Sequence, residues 1–340
     1  MANGFRKNLL VQVAQMINLE ITKLRLKAFA KRIPFFRGLL WWLRSLRKSS
    51  ILHGMTSREE QQYCRSYTHD TYTGIGEIVD LGCWLGSTTI PLAQGLRKNL
   101  NRYTRRERIH AYDLFLWEKW MDPYMPGCRK TYSPGESFLG EYKARTRKYS
   151  SLIRIYPGDL HQLGWIGKPI EFLLVDAMKS QELAESIVKC FYPSLIPEKS
   201  LLLHQDFKHF YTSWIHLIQY RLRDYFSFET DIPNSSSVVF RLKKRLEYDP
   251  SVVDFKSFTD REVDQAFDYS MALVGGKNSN IAAAKVMYFI HQDRTVEAKR
   301  VLDGFYHDGF AKESELAICE QRLAGTLVRA AIQSDSEQLV

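Results

Sequence analysis

Seven short apolar runs, spaced through the middle of the chain, limit what it can fold into more than any other feature. They read EIVDLG (77–82), RIHAYD (108–113), LIRIYPGD (152–159), IEFLLVDA (170–177), SLLLHQDF (200–207), FSFETD (226–231) and SVVFRL (237–242). Each of the first five is followed by a polar stretch that suits a helix, which predicts a parallel sheet with helices on both faces. The last two lie too close together for a crossover helix, because parallel neighbours need a dozen or more connecting residues. They are expected to pair antiparallel around the turn IPNSS. With 340 residues, 45% of them hydrophobic, the chain can bury one large core and still carry appended segments.

The first run continues as EIVDLGCWLGSTTI, an acid at the end of a strand followed by Gly82 and Gly86 at a helix entrance. Ligands of open α/β sheets bind at the carboxyl ends of the strands, where loop amides and helix N-termini point into a crevice. A dinucleotide-binding fingerprint, GxGxxG, does not fit, since Cys83, Trp84 and Leu85 separate Gly82 from Gly86 and no glycine stands two residues after Gly82. Five βα units, a terminal antiparallel pair and this motif after the first strand resemble the class I S-adenosylmethionine-dependent methyltransferases over about residues 70–245. The fold so implied is α/β: a Rossmann-like seven-stranded, mostly parallel sheet with an antiparallel last strand, extended by helical segments at both ends.

The resemblance implies that S-adenosylmethionine is held by Asp80, Gly82, Cys83, Gly86, Ser87, Asp113 and Asp159. Gly82 and Gly86 would let the backbone approach it. Asp80 would meet the methionine amino group or order the loop. Asp113 suits both ribose hydroxyls, because a carboxylate offers two acceptor oxygens and no donor. Asp159 matches the family's contact to the adenine amino group.

The acceptor side is read from the ends of the fourth and fifth runs. Base-amino methyltransferases are similar to one another in an Asp/Asn-Pro-Pro-Tyr after the fourth strand, where this chain has VDAMKS. The DPY at Asp122–Tyr124 follows the second strand, and no Pro-Cys dipeptide exists for attack on a pyrimidine carbon, so nucleic acid is disfavoured as the acceptor. Asp176 and the pair Gln205–Asp206 instead resemble the magnesium-binding positions of catechol-type and macrolide-sugar O-methyltransferases. There a hard cation takes oxygen ligands and lowers the pKa of acceptor hydroxyls. Gln205 departs from the pattern by standing where an acid is usual. His204 and His209 flank the pair, and either is a candidate to accept the hydroxyl proton, with or without metal. Strand alternation places His204 and Asp206 on one face and Gln205 on the other unless the strand has already ended.

The formal charge of +10 is local: residues 1–50 hold 11 Lys/Arg and one acid, and the rest balances 37 basic against 37 acidic side chains. This arm interleaves cations with apolar residues at helical spacing and contains Phe35, Phe36, Trp41 and Trp42. It suits a helix on an anionic membrane surface, a face packed on the protein's own body or on a second subunit, or a single-stranded RNA contact. No run reaches the roughly 18 apolar residues of a spanning helix. The five cysteines form no CxxC pair or Cys/His cluster and nothing resembles a signal peptide, so a cytoplasmic protein is expected, either free or peripheral on the inner face of a membrane.

Leu114 to Arg145 make a connection far longer than the ~2–6 residues usual between strand and helix. Its Trp117, Trp120, Tyr124 and Tyr132 suit either stacking on an acceptor ring or cover for an apolar surface. Residues 246–340 read as helices, with a capping box from Thr259 to Glu262, and serve partner binding, dimerisation or substrate shaping. Three segments follow: a basic arm (1–66), a methyltransferase domain (67–245) and a helical extension (246–340). The expected activity is O-methylation of a sugar, glycan or other hydroxyl-bearing small molecule. A non-catalytic scaffold that binds partners through its helical ends is the alternative.

Overall fold

A computed structural model describes residues 55–337, the side chains of Pro126 and of 327–337 excepted. The basic arm up to residue 54 lies outside the described residues. The strands are β1 (Glu77–Leu81), β2 (Ile109–Asp113), β3 (Ile153–Pro157), β4 (Ile170–Val175), β5 (Leu201–His204), β6 (Phe226–Asp231) and β7 (Val238–Leu242). They form one sheet in the order β3-β2-β1-β4-β5-β7-β6. The first five run parallel, and β7 lies antiparallel between β5 and β6. This is the Rossmann-like, mostly parallel seven-stranded sheet that the resemblance implied, terminal antiparallel pair included.

Both faces of the sheet are covered, which is why EFLLV and LLLH are nearly unbroken apolar runs without an exposed alternate. Ile78, Phe172, Leu174, Leu201 and Leu203 pack on one side, with α1 (Arg58–Ser66), α2 (Thr89–Arg97) and α3 (Leu139–Thr146). Val79, Leu81, Leu173, Val175 and Leu202 face the other, under α4 (Gln181–Phe191) and α5 (Ser213–Arg221). That second core continues into α6 (Asp260–Leu273), α7 (Ser279–His291), α8 (Thr295–His307) and α9 (Glu315–Glu337). The box that starts α6 has the predicted form: the Thr259 hydroxyl accepts the Glu262 N–H at 3.2 Å, and the Glu262 carboxylate accepts the Thr259 N–H at 3.2 Å. In α7 every residue from Ile281 to Ile290 except Lys285 is buried, so this helix is the hub on which α8 and α9 pack.

Two expectations need correction. No helix lies between β3 and β4, because Gly158, Gly164, Gly167 and Pro169 break that segment into turns. Helix α1, placed in the arm by the boundary at 66, packs on α2 and belongs to the same compact unit as the sheet. Its first turn is closed by Ser57, whose hydroxyl accepts the Glu60 N–H at 3.1 Å, and its Cys64 is fully buried against the sheet. Among the described residues no helix is long and apolar enough to cross a membrane.

Candidate active site

The chain leaves β1 outward to β2 and β3, then returns to β4 on the other side of β1, so a crevice opens at the carboxyl ends of β1 and β4. It widens into a cavity of about 1380 Å³. Gly82, Trp84, Asp113, Leu114, Gly158, Asp159 and Leu160 line one part, and Asp176, Lys179, Gln205, Asp206 and His209 another. Glu60 from α1, Trp120 from the long connection, and Asn280 and Arg322 from the C-terminal helices also line it.

Gly82 has φ +83°, and a Cβ there would stand 2.8 Å from the Asp176 carbonyl oxygen. Glycine thus lets the β1 and β4 ends close on each other. Two residues on, Trp84 adopts φ +41°, a left-handed backbone that costs an indole-bearing residue about 1–2 kcal/mol. The turn aims its N–H at Asp113 Oδ2, 2.8 Å away, while the Phe115 N–H reaches Oδ1 at 2.7 Å. Each Asp113 oxygen keeps one further lone pair, so the carboxylate is fixed in orientation and still able to accept two hydroxyls. Burial pushes its pKa up from the ordinary value. The Trp84 indole is 5% exposed, carries a buried Nε1–H without a partner, and meets Tyr124 edge-on at 5.0 Å.

The other expected cofactor residues divide. Asp159 lines the cavity and fixes its own turn by accepting the His161 N–H at 2.9 Å. Asp80 is fully buried and takes the hydroxyls of Thr88 at 3.0 Å and Thr89 at 2.6 Å, so of its two expected roles the structure gives it the ordering of the loop. Burial raises its pKa to about 6. Cys83, Gly86 and Ser87 do not reach the cavity: Cys83 and Ser87 are buried, and a Cβ on Gly86 (φ +87°) would touch Ile90 and Thr146 at 3.4 Å. Gly86 turns the chain into α2, and a larger residue there would crowd that helix instead of a ligand.

On the acceptor side Asp176 and Asp206 converge as expected, but on a cation of the chain itself. The Lys179 Nζ donates to Asp176 Oδ1 at 2.7 Å and to Asp206 Oδ2. Loss of water around the Nζ, seated between two acids while the rest of the side chain stays exposed, works against the Lys179 charge, yet the two carboxylates overcome it and hold its pKa above the ordinary value. Burial raises Asp176 to about 7 against the pull of Lys179. Gln205 is buried with its Oε1 unpartnered. This donor set does not fit the expected magnesium ion, since an ammonium already spans the two acids and the third ligand is a neutral amide. Among the described residues no group of three or more His, Cys, Asp or Glu is arranged to hold a metal.

His204 does not serve the cavity. It is fully buried, its Nε2 lies 3.2 Å from the Tyr192 hydroxyl, and Phe207 and Phe240 pack around it. Burial lowers its pKa to about 3, so it stays neutral in the core. His209 does line the cavity, and its pKa is lowered by burial. Its Nδ1 accepts the Tyr211 N–H at 3.4 Å, which places the ring proton on Nε2 and makes that nitrogen a donor.

In the long connection Trp117 and Tyr132 stack at 5.1 Å in the core, while Trp120 and Tyr124 stand over Trp84. Trp117 and Tyr132 thus fill an apolar core, and Trp120 lines the cavity. Glu60, Lys179 and Arg322 were not marked by the sequence. Only the acid in the first turn of a helix capped by Ser57 gave any signal for one of them, and it reads equally as helix-dipole compensation.

No protein-family model matches the chain, and no curated protein does. Among solved structures it is similar to calicheamicin methyltransferase CalS11, at 14% identity over 53% of this chain and 76% of that one, with a TM-score of 0.39. It is also similar to Haemonchus contortus phosphoethanolamine N-methyltransferase 1 in complex with phosphoethanolamine and S-adenosylhomocysteine (11% identity, 68% and 54%, TM-score 0.40). A third is the 23S rRNA methyltransferase ErmE (12% identity, 79% and 99%, TM-score 0.32). At such identities the likeness concerns the fold and leaves the acceptor open.

Proposed function

We propose that the chain is an S-adenosylmethionine-dependent methyltransferase acting on a hydroxyl of a sugar, glycan or other small molecule. The observation that carries this is Asp113: a cavity-lining carboxylate at the end of β2, oriented by the Trp84 and Phe115 N–H groups with acceptor capacity to spare. When bound, S-adenosylmethionine supplies a methyl group on a sulfonium sulfur. Asp113 would accept the two ribose hydroxyls, Leu114 and Leu160 would offer the purine an apolar wall, and Asp159 would take its amino group. Gly82 keeps the crevice floor free of side chain.

The acceptor lies beside Asp176 and Asp206. An acceptor hydroxyl taking up that methyl group would give its proton to Asp176, whose pKa of about 7 suits a base working near neutrality. Turnover is therefore expected to rise as pH passes upward through about 7, where Asp176 loses its proton. Positioning and exclusion of water supply much of the rate.

The test is calorimetry with S-adenosylhomocysteine. The full-length protein should bind it, and Asp113→Ala should weaken binding roughly 10- to 100-fold, the loss expected for hydrogen bonds to a charged group. Asp176→Asn should bind as the wild type does while losing transfer to a panel of sugars and phenols. No heat with the wild type, or equal affinity in Asp113→Ala, would sink the proposal.

A further inference from the structure

The turn that carries Lys179 is held from several sides. The Asp176 N–H donates to the Leu81 carbonyl at 2.9 Å, the Lys179 N–H to the Ala177 carbonyl at 2.8 Å, and the Trp214 indole N–H to the Met178 carbonyl at 2.8 Å. The side chain starts from this fixed turn and ends between the carboxylates of Asp176 and Asp206. Those acids are 11% and 15% exposed, whereas Lys179 is 55% exposed and lines the cavity, so its open side faces the acceptor space. An ammonium has three N–H donors, and the two acids take two of them. One donor remains for a cavity oxygen.

We propose that Lys179 is the built-in cation of this acceptor site, seated between Asp176 and Asp206 where a divalent metal ion would otherwise lie, and that it holds the acceptor oxygen without metal. The proposal rests on the methyltransferase reading for the identity of that oxygen. A positive donor at hydrogen-bond distance stabilises negative charge that builds on oxygen as its proton leaves, the service a metal performs as Lewis acid. A divalent ion entering the same seat meets an ammonium within a few ångströms, and that repulsion opposes binding. Magnesium also demands a near-octahedral set of oxygens, which Lys179 interrupts.

The experiment uses Mn²⁺ alone, followed by electron paramagnetic resonance and calorimetry on the full-length chain, with S-adenosylhomocysteine titrated in parallel. Wild type should take up no stoichiometric Mn²⁺. Lys179→Met should gain one Mn²⁺ per chain with affinity raised roughly tenfold or more, as expected when like charge is removed beside the ion. That gain should vanish in Lys179→Met/Asp206→Asn. Lys179→Gln, neutral but polar, is the second variant should the methionine variant not fold, and it should gain Mn²⁺ likewise. Stoichiometric Mn²⁺ on the wild type that is lost in Asp206→Asn overturns the proposal, as does a folded lysine variant with no gain. The S-adenosylhomocysteine titration reports on the cofactor reading separately, since binding there with metal uptake by the wild type removes the built-in cation and leaves the fold's activity standing. Once an acceptor is in hand, wild-type turnover should be the same with and without EDTA.

Discussion

Glu60 is 2% exposed, and its Oε1 is buried without a partner at the edge of the cavity. Burial, with the nearby charges of Asp176 and Asp206, pushes its pKa from an ordinary 4.5 up to about 8. At neutral pH it therefore carries a proton and is a donor, not an anion. The folded chain holds a proton that the unfolded chain releases, so the stability from this group is fully present below about pH 4.5 and is lost as pH rises through about 8. Denaturant unfolding of wild type against Glu60→Gln should show the difference: the variant gains up to about 4 kcal/mol on the wild type between pH 5 and pH 9. Equal pH profiles would mean that Glu60 is not held neutral. Residues such as Asp113 and Asp159 were legible because a strand end fixes both their place and their exposure. Glu60 and Lys179 were not, because what matters in them is set by partners over 25 residues away: Asp176 and Asp206 for Glu60, Asp206 for Lys179. Trp84 lay between: the missing glycine was visible, but the left-handed turn that a tryptophan is made to adopt there was not.

Elements were read most easily where apolar period and turn chemistry agreed. β4 and β5 announce burial on both faces by their unbroken apolar runs, and the IPNSS turn forces the antiparallel β6–β7 pair. The segment between β3 and β4 misled because its length allows a helix while its glycines forbid one. His204 misled for a related reason: strand alternation gives two faces, and only packing decides that the face of His204 belongs to the core with Tyr192. The joint between β1 and β4 carries a sharper test. Gly82→Ala brings a Cβ to 2.8 Å from the Asp176 carbonyl at φ +83°, whereas Gly135, also at φ +83°, has nothing within 4 Å of an added Cβ. Gly135→Ala should cost only the backbone penalty of about 1 kcal/mol. Gly82→Ala should cost about 2–4 kcal/mol and weaken S-adenosylhomocysteine binding, because relieving the clash moves the crevice floor. Matching losses in the two variants would show that the close approach is not what demands glycine at 82.

For the whole molecule the charge distribution sets the remaining question. Residues 1–50 account for the entire formal +10, and residues 51–340 balance 37 basic side chains against 37 acidic ones. A neutral body has no long-range pull toward an anionic surface, so any such attraction must come from the arm. We propose that the arm places the chain on anionic membrane, with its aromatic and aliphatic residues in the interface and its cations at the headgroups. Each cation near such a surface contributes about 1 kcal/mol, and salt screens this within a Debye length of about 8 Å at physiological strength. The helical extension has a different task in this scheme, since Asn280 and Arg322 reach the cavity wall and Arg322 lies 5.3 Å over the Phe210 ring. Sedimentation with phosphatidylserine vesicles should carry down the full-length protein and leave the 51–340 chain in the supernatant. Phosphatidylcholine vesicles should carry down less of the full-length protein, and high salt should release most of it. The truncated chain should keep its affinity for S-adenosylhomocysteine, because it retains all the described cavity residues, Met55 to Arg322. Equal sedimentation of the two chains would reject the membrane role and leave the arm's apolar face to pack on the protein itself or on a second copy.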